Sequence, residues 1–325
     1  MSGKRILTGV KPTGNPHLGN LYGAILPAIK KANESDEPSY IFIANIHALN
    51  GVKDPDFLRD RTYAVAATFL AFGLDVNKSI FYRQSDIPEI FELTSLLMNY
   101  TPKGLMNRAH AYKAILERDG NDDNVNMGLY TYPILMAADI LAMQSNIVPV
   151  GLDQKQHIEI ARDIANSFNS MYKKEVLTLP MEFIEHQDSI MGLDGRKMSK
   201  SYGNTIELFA TEEDTKKKIM KIPTDSLLPS DKKSEDSILY KLMKMFNVDA
   251  EYMKNFIDGG IGYGDAKKVL AETVNNYLRP YRAKYNELMQ NKSQIDEYLS
   301  AGAIKARATA SETLKKVKQT LGLIG

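Results

Sequence analysis

The run Lys4-Arg5-Ile6-Leu7-Thr8 leads directly into Gly9-Val10-Lys11-Pro12-Thr13-Gly14-Asn15-Pro16-His17-Leu18-Gly19-Asn20. The first five residues read as a short buried strand. The following stretch is a turn rich in glycine and proline, and Asn20 is expected to open a helix whose apolar residues Leu21, Ile25, Leu26 and Ile29 recur at helical spacing. Gly9, Gly14, Gly19 and Gly23 keep the turn small enough for a nucleotide ring or ribose to lie against backbone. The pattern is neither the dinucleotide fingerprint nor a P-loop. His17 and Asn20, three apart at a helix start, read as donors to a phosphate, because free N–H groups and the helix dipole already favour an anion there. A plain helix cap is the competing reading for Asn20.

Outward from this turn the same alternation repeats. Tyr40-Ile41-Phe42-Ile43-Ala44 predicts a second strand, Val65, Phe69 and Phe72 mark a helix, and Ile80-Phe81-Tyr82 a third strand. Asn146-Ile147-Val148-Pro149-Val150-Gly151 predicts another buried strand, followed from Gln156 by a helix with Ile158, Ala161, Ile164, Ala165 and Phe168 on one face. Leu93, Leu96, Leu97 and Met98 form an apolar surface that suits either a core or a subunit seam. Beyond about residue 205 the strand signals fade and helical periodicity takes over, as in Ile238, Leu239, Leu242, Met243 and Phe246. The expected class is α/β, a Rossmann-like parallel sheet forming a catalytic domain over residues 1–205, with a C-terminal helical domain over 206–325. Packing of the last helix back on the catalytic domain is left open.

A chain of 325 residues with 43% hydrophobic side chains can bury the cores of two such domains. No run of eighteen apolar residues or secretory leader appears, so no membrane span is expected and the cytoplasm is the expected location. With no cysteine, and with His17, His47, His110, His157 and His186 scattered, no structural metal is expected. A net charge of +1 confines any nucleic-acid contact to local patches. Candidates are Lys216-Lys217-Lys218 with Lys221, Lys232-Lys233, and the tail carrying Lys305, Arg307, Lys315, Lys316 and Lys318, against the simpler reading of solvated helix faces.

The second signature is Lys197-Met198-Ser199-Lys200-Ser201. It follows the turn signal Asp194-Gly195, which predicts a mobile, mostly polar loop. Two ammonium groups three residues apart suit a pyrophosphate whose charge grows as it leaves, and only binding that strengthens in the transition state accelerates chemistry. Gly151 to Gln154 lies just past the carboxyl end of a predicted strand, where open α/β sheets bind ligands.

These two signatures, together with Tyr132-Pro133-Ile134-Leu135-Met136-Ala137-Ala138-Asp139-Ile140-Leu141 and Val148-Pro149-Val150-Gly151-Leu152-Asp153-Gln154-Lys155-Gln156-His157, resemble the class I aminoacyl-tRNA synthetases, most closely the bacterial tryptophanyl-tRNA synthetases. The resemblance spans nearly the whole chain. It implies that tryptophan attacks the α-phosphate of ATP with Mg²⁺ present, and that the acyl group then passes to tRNA(Trp). His17, Asn20, Lys197 and Lys200 would carry the catalytic contacts. ATP would be held by Lys11, Pro12, Thr13, Gly19, Asn20, Gly151, Asp153, Lys197, Met198, Ser199 and Lys200. L-tryptophan would meet Asp139, which accepts the indole N–H, Tyr132 and Gln154 at its ammonium group, and Met136, Val148, Val150 and His47 around it.

A homodimer with Leu93 to Tyr100 in its seam is also implied. The alternatives are a tyrosine–tRNA ligase and a tRNA-binding paralogue without ligase activity. The text Gly151-Leu152-Asp153-Gln154 argues against the first, and the intact lysine loop against the second. The chain departs from the family pattern at Lys11, where Gln is common, at Leu152, where an acid is common, and through Thr101 to Gly128, which leaves Arg108 and Lys113 without assigned roles.

Overall fold

The computed structural model describes residues 5–109, 112–113, 116–117, 125–184 and 190–325, with the backbone alone at Asp153. Lys4, His110, His186 and the side chain of Asp153 therefore lie outside the described residues. Strand β1 (Leu7–Val10) pairs in parallel with β2 (Ser39–Ile43), and β2 with β3 (Ser79–Arg83). On the other side of β1, β4 (Ile147–Val150) pairs in parallel with β5 (Met181–Ile184), and a parallel bridge from Ile6 to Ile147 joins the two ladders. The order across the sheet is thus 3-2-1-4-5, a doubly wound arrangement whose reversal beside β1 opens a crevice at the strands' carboxyl ends.

Two boundaries differ from expectation. β1 runs Leu7–Val10 rather than 4–8, because these four residues have partners in register from Tyr40 to Ile43, while Ile6 turns to β4. The first helix begins at Leu18, not Asn20: His17 is its cap, and the His17 N–H donates to Asn20 Oδ1 at 3.2 Å. That helix passes through a π-helical stretch, Leu21–Ile25, before Leu26–Glu34. Strand β5 was not predicted. It is an edge strand with half of its side chains exposed, so it lacks the buried apolar run that marks its neighbours.

The helices beyond residue 205 share their core with the sheet. One continuous cluster of buried apolar residues runs from Leu18, Ile41 and Phe81 to Leu242, Phe256, Leu278 and Leu299. Helix Tyr263–Gln290 carries the buried Arg282, whose guanidinium donates to Leu208 O at 3.0 Å, Asn275 Oδ1 at 2.7 Å and Thr215 Oγ1 at 2.7 Å. It thereby ties the helices to the strand-like segment that follows the lysine loop. The last helix, Lys292–Thr320, lies across β3 so closely that a Cβ at Gly302 would stand 1.8 Å from Phe81 O. Arg83 of β3 donates to Asp296 of this helix, and Tyr40 of β2 bonds its Thr309.

Candidate active site

A cavity of ≈ 330 Å³ opens at the carboxyl ends of β1 and β4. Asp139, Tyr132, Met136, Gln154, Val148, Val150 and His47 all line it, with Lys11 and Gly151 at the same opening. Asp139 projects from helix Met127–Ala142 and is fully buried. Its Oδ2 meets His47 Nε2 at 2.9 Å, and Gln84 Nε2 reaches Oδ1 at 3.0 Å and Oδ2 at 2.9 Å. Burial raises the pKa of the Asp139 carboxyl above its ordinary value, while the His47 and Gln84 contacts pull it back. Such a group can accept a hydrogen bond from a ligand, and an apolar ligand would leave it wanting about 1–3 kcal/mol. Around it, Phe42, Met136 and Val148 give flat or adaptable apolar walls.

Beside Asp139, the Tyr132 hydroxyl contacts the His157 ring, and the Lys11 ammonium stands 5.4 Å from the centre of the Tyr132 ring. Desolvation there lowers the pKa of Lys11. Lys11 thus puts a cation at the boundary between the apolar cavity and the glycine turn.

The lysine loop closes on that turn. Lys200 Nζ comes to 2.6 Å from where a Cβ at Gly14 would stand, and the φ of +155° at Gly14 is one that side-chain-bearing residues rarely adopt. Met198 is 4% exposed, and its sulfur accepts the Gly19 N–H at 3.2 Å. Asn204 holds the loop from beneath. Its amide donates to Asp194 Oδ1 at 2.6 Å and Lys197 O at 3.1 Å, and its oxygen accepts the Ser199 N–H at 2.8 Å. Past Asn204 the chain pairs with the signature itself, Leu18 N–H to Ile206 O at 2.9 Å and Leu208 N–H to Pro16 O at 3.1 Å. The mostly polar loop is thus seated on the turn in this structure through a buried methionine and a buried asparagine.

The corner is electropositive. Lys200 is pulled below its usual pKa first by burial and then by the Arg61 guanidinium, with Glu207 acting the other way. Arg61 has a buried Nε without a partner. His17 is lowered to about 4, by desolvation first and then by Lys200, with Lys218 adding to it against Glu207. Its imidazole is therefore neutral near pH 7 and brings a hydrogen-bonding ring without adding charge.

Some predicted roles change. Asn20 spends its Oδ1 on the helix start, which leaves its amide nitrogen for a ligand. Lys233 is no RNA-facing cation: it is 5% exposed, and its ammonium donates to the carbonyls of Leu228, Pro229 and Asp231. In the tail, Arg307 pairs with Glu89 and Lys318 with Glu92, so these cations fasten the last helix to the sheet side. Leu93 and Leu97 are core, whereas Met98 is exposed. Sequence reasoning missed Gln84, His157, Asn204 and Arg61. Of these only Gln84 carried a usable signal, standing two residues past the strand predicted at Ile80–Tyr82, where sheet ligands gather.

Comparison with known proteins agrees with this geometry. The profile of tRNA synthetases class I (W and Y) matches residues 3–287. The tryptophan–tRNA ligase of Neisseria meningitidis is 49% identical over 334 residues, covering 99% of each chain. That of Bordetella parapertussis is 47% identical, covering 98% of this chain and 73% of its own length. Among solved structures, the tryptophanyl-tRNA synthetase of Campylobacter jejuni complexed with ADP and tryptophan superposes with a TM-score of 0.91 at 42% identity, over 98% of this chain and 99% of the other. The chain belongs to the class I tRNA synthetases of the tryptophan and tyrosine group, and within it to the bacterial tryptophan–tRNA ligases.

Proposed function

We infer that the cavity and the lysine corner carry out the two half-reactions of a tryptophan–tRNA ligase, ATP-dependent formation of tryptophanyl-adenylate and transfer of the acyl group to tRNA(Trp). The observation that carries this reading is the fully buried Asp139 acceptor at the end of an apolar cavity whose mouth adjoins the glycine turn. Tryptophan enters with its indole N–H on Asp139 and its ammonium toward Tyr132 and Gln154. His47, Met136, Val148 and Val150 enclose the ring.

ATP lies along the glycine turn, with Lys11, Pro12, Thr13, Gly19 and Asn20 on one side. Gly151 and Asp153 hold the ribose, and Met198 and Ser199 line the approach. The tryptophan carboxylate attacks the α-phosphorus and the bond to the β-phosphate oxygen breaks. Lys197 and Lys200 take up the charge that gathers on pyrophosphate, and neutral His17 orients the phosphates. Mg²⁺ would offset phosphate charge beside Lys197 and Lys200.

Residues 1–205 supply this chemistry, and 206–325 engage tRNA. The exposed Lys216, Lys217 and Lys221 remain candidates for that contact. A homodimer in the cytoplasm completes the reading. No helix among the described residues is long and apolar enough to cross a membrane. ATP–pyrophosphate exchange across all twenty amino acids tests it: exchange driven by tryptophan is expected, and exchange driven by tyrosine or by none would overturn it.

A further inference from the structure

Gln84 touches the tryptophan cavity nowhere, yet it is fully buried behind it. Its oxygen accepts the backbone N–H of Ile46 at 3.1 Å and of His47 at 3.2 Å. Those two donors decide which end of the amide is oxygen, so the NH₂ group must face Asp139, and there it spans both carboxylate oxygens. Among the described residues no lysine or arginine pairs with Asp139; its hydrogen-bond partners are His47 and Gln84.

An ionised carboxylate offers about four lone-pair positions. On Oδ2 both are taken, by His47 and by Gln84, while Oδ1 has one donor and one position left. Gln84 also holds the start of the short helix Asn45–Ala48 that carries His47, so one amide sets both neighbours of the selector.

We propose that Gln84 is the positioning residue for side-chain selection: it locks the Asp139 carboxylate so that Oδ1 alone is presented to the substrate, aimed at an indole N–H. This rests on the assignment of tryptophan to the cavity and deepens it. A carboxylate free to turn could spread its acceptor over several directions, and the advantage of a substrate with a donor at one fixed place would shrink.

The test compares tryptophan with β-(3-benzothienyl)alanine, in which sulfur replaces the indole N–H. The ratio of kcat/KM in ATP–pyrophosphate exchange is measured for the native chain, Gln84→Met and Gln84→Leu. Both variants remove the donor to Asp139 without placing another ionisable group beside it. The ratio is expected to fall at least about tenfold in both variants, the scale of one hydrogen bond to a charged group. Because a ratio does not depend on the fraction of folded enzyme, partial misfolding leaves it unchanged. Parallel losses for both substrates, or a native ratio in either variant, would overturn the proposal. Absence of tryptophan-dependent exchange in the native chain would instead sink the parent assignment, and this one with it.

Discussion

Lys200 Nζ stands at Gly14, and Lys197 lies three residues earlier on the same loop, its carbonyl held by Asn204. Replacing either by alanine is expected to slow adenylate formation about a hundredfold or more while changing tryptophan affinity by less than about threefold, read by single-turnover kinetics and equilibrium binding. Equal losses in both would reject a transition-state role. Asp139→Ala should narrow discrimination between tryptophan and phenylalanine in pyrophosphate exchange, since the acceptor that penalises phenylalanine is gone; unchanged selectivity would exclude it as selector.

His17 supplies a test in pH. Its folded value of about 4 lies below the ordinary 6.5, so the unfolded chain binds the proton more readily. The stability linked to this group is therefore complete above 6.5 and is lost as pH falls through the interval down to about 4. In His17→Gln the thermal midpoint should fall less steeply across that interval than in the native chain; identical slopes would show that His17 contributes nothing there.

Elements matter through what they fasten. The last helix lies on β3, and β3 ends at Arg83, one residue before Gln84; Arg83 donates to Asp296 of that helix at 2.7 Å. The last helix is thus linked to the selector through the end of β3, and it also shares a buried apolar cluster with helix Met127–Ala142, which carries Asp139. Gly302→Ala would drive a Cβ into the Phe81 carbonyl, and neither backbone can yield cheaply. The expected cost is about 3 kcal/mol or more in urea denaturation, together with a lower kcat/KM for tryptophan in the fraction that folds. A native denaturation midpoint would refute the close packing.

On the scale of the whole molecule, one apolar cluster is common to the sheet and the later helices, so removing a late helix is expected to be felt in the sheet. Ending the chain at Asn291 removes the helix that covers β3, so adenylate formation should be lost along with tRNA charging. Retained pyrophosphate exchange in that truncation would show that the sheet side stands alone.

The strand-turn-helix unit, the strands at Tyr40, Ile80 and Ile147, and the two motifs that the fold brings together were legible in the chain because each is local: apolar periodicity and turn chemistry act between residues a few positions apart. All seven residues expected around tryptophan do line one cavity, for the related reason that strand ends in such a sheet converge. The edge strand β5, the anchoring of the lysine loop by Met198 and Asn204, the burial of Lys233 and the grip of Gln84 on Asp139 were not legible. Each depends on a partner that folding brings close from elsewhere in the chain or from a loop's own closure. A hydrogen-bond donor leaves no periodic mark in a sequence to say which distant acceptor it will meet, so those assignments waited for the packed molecule.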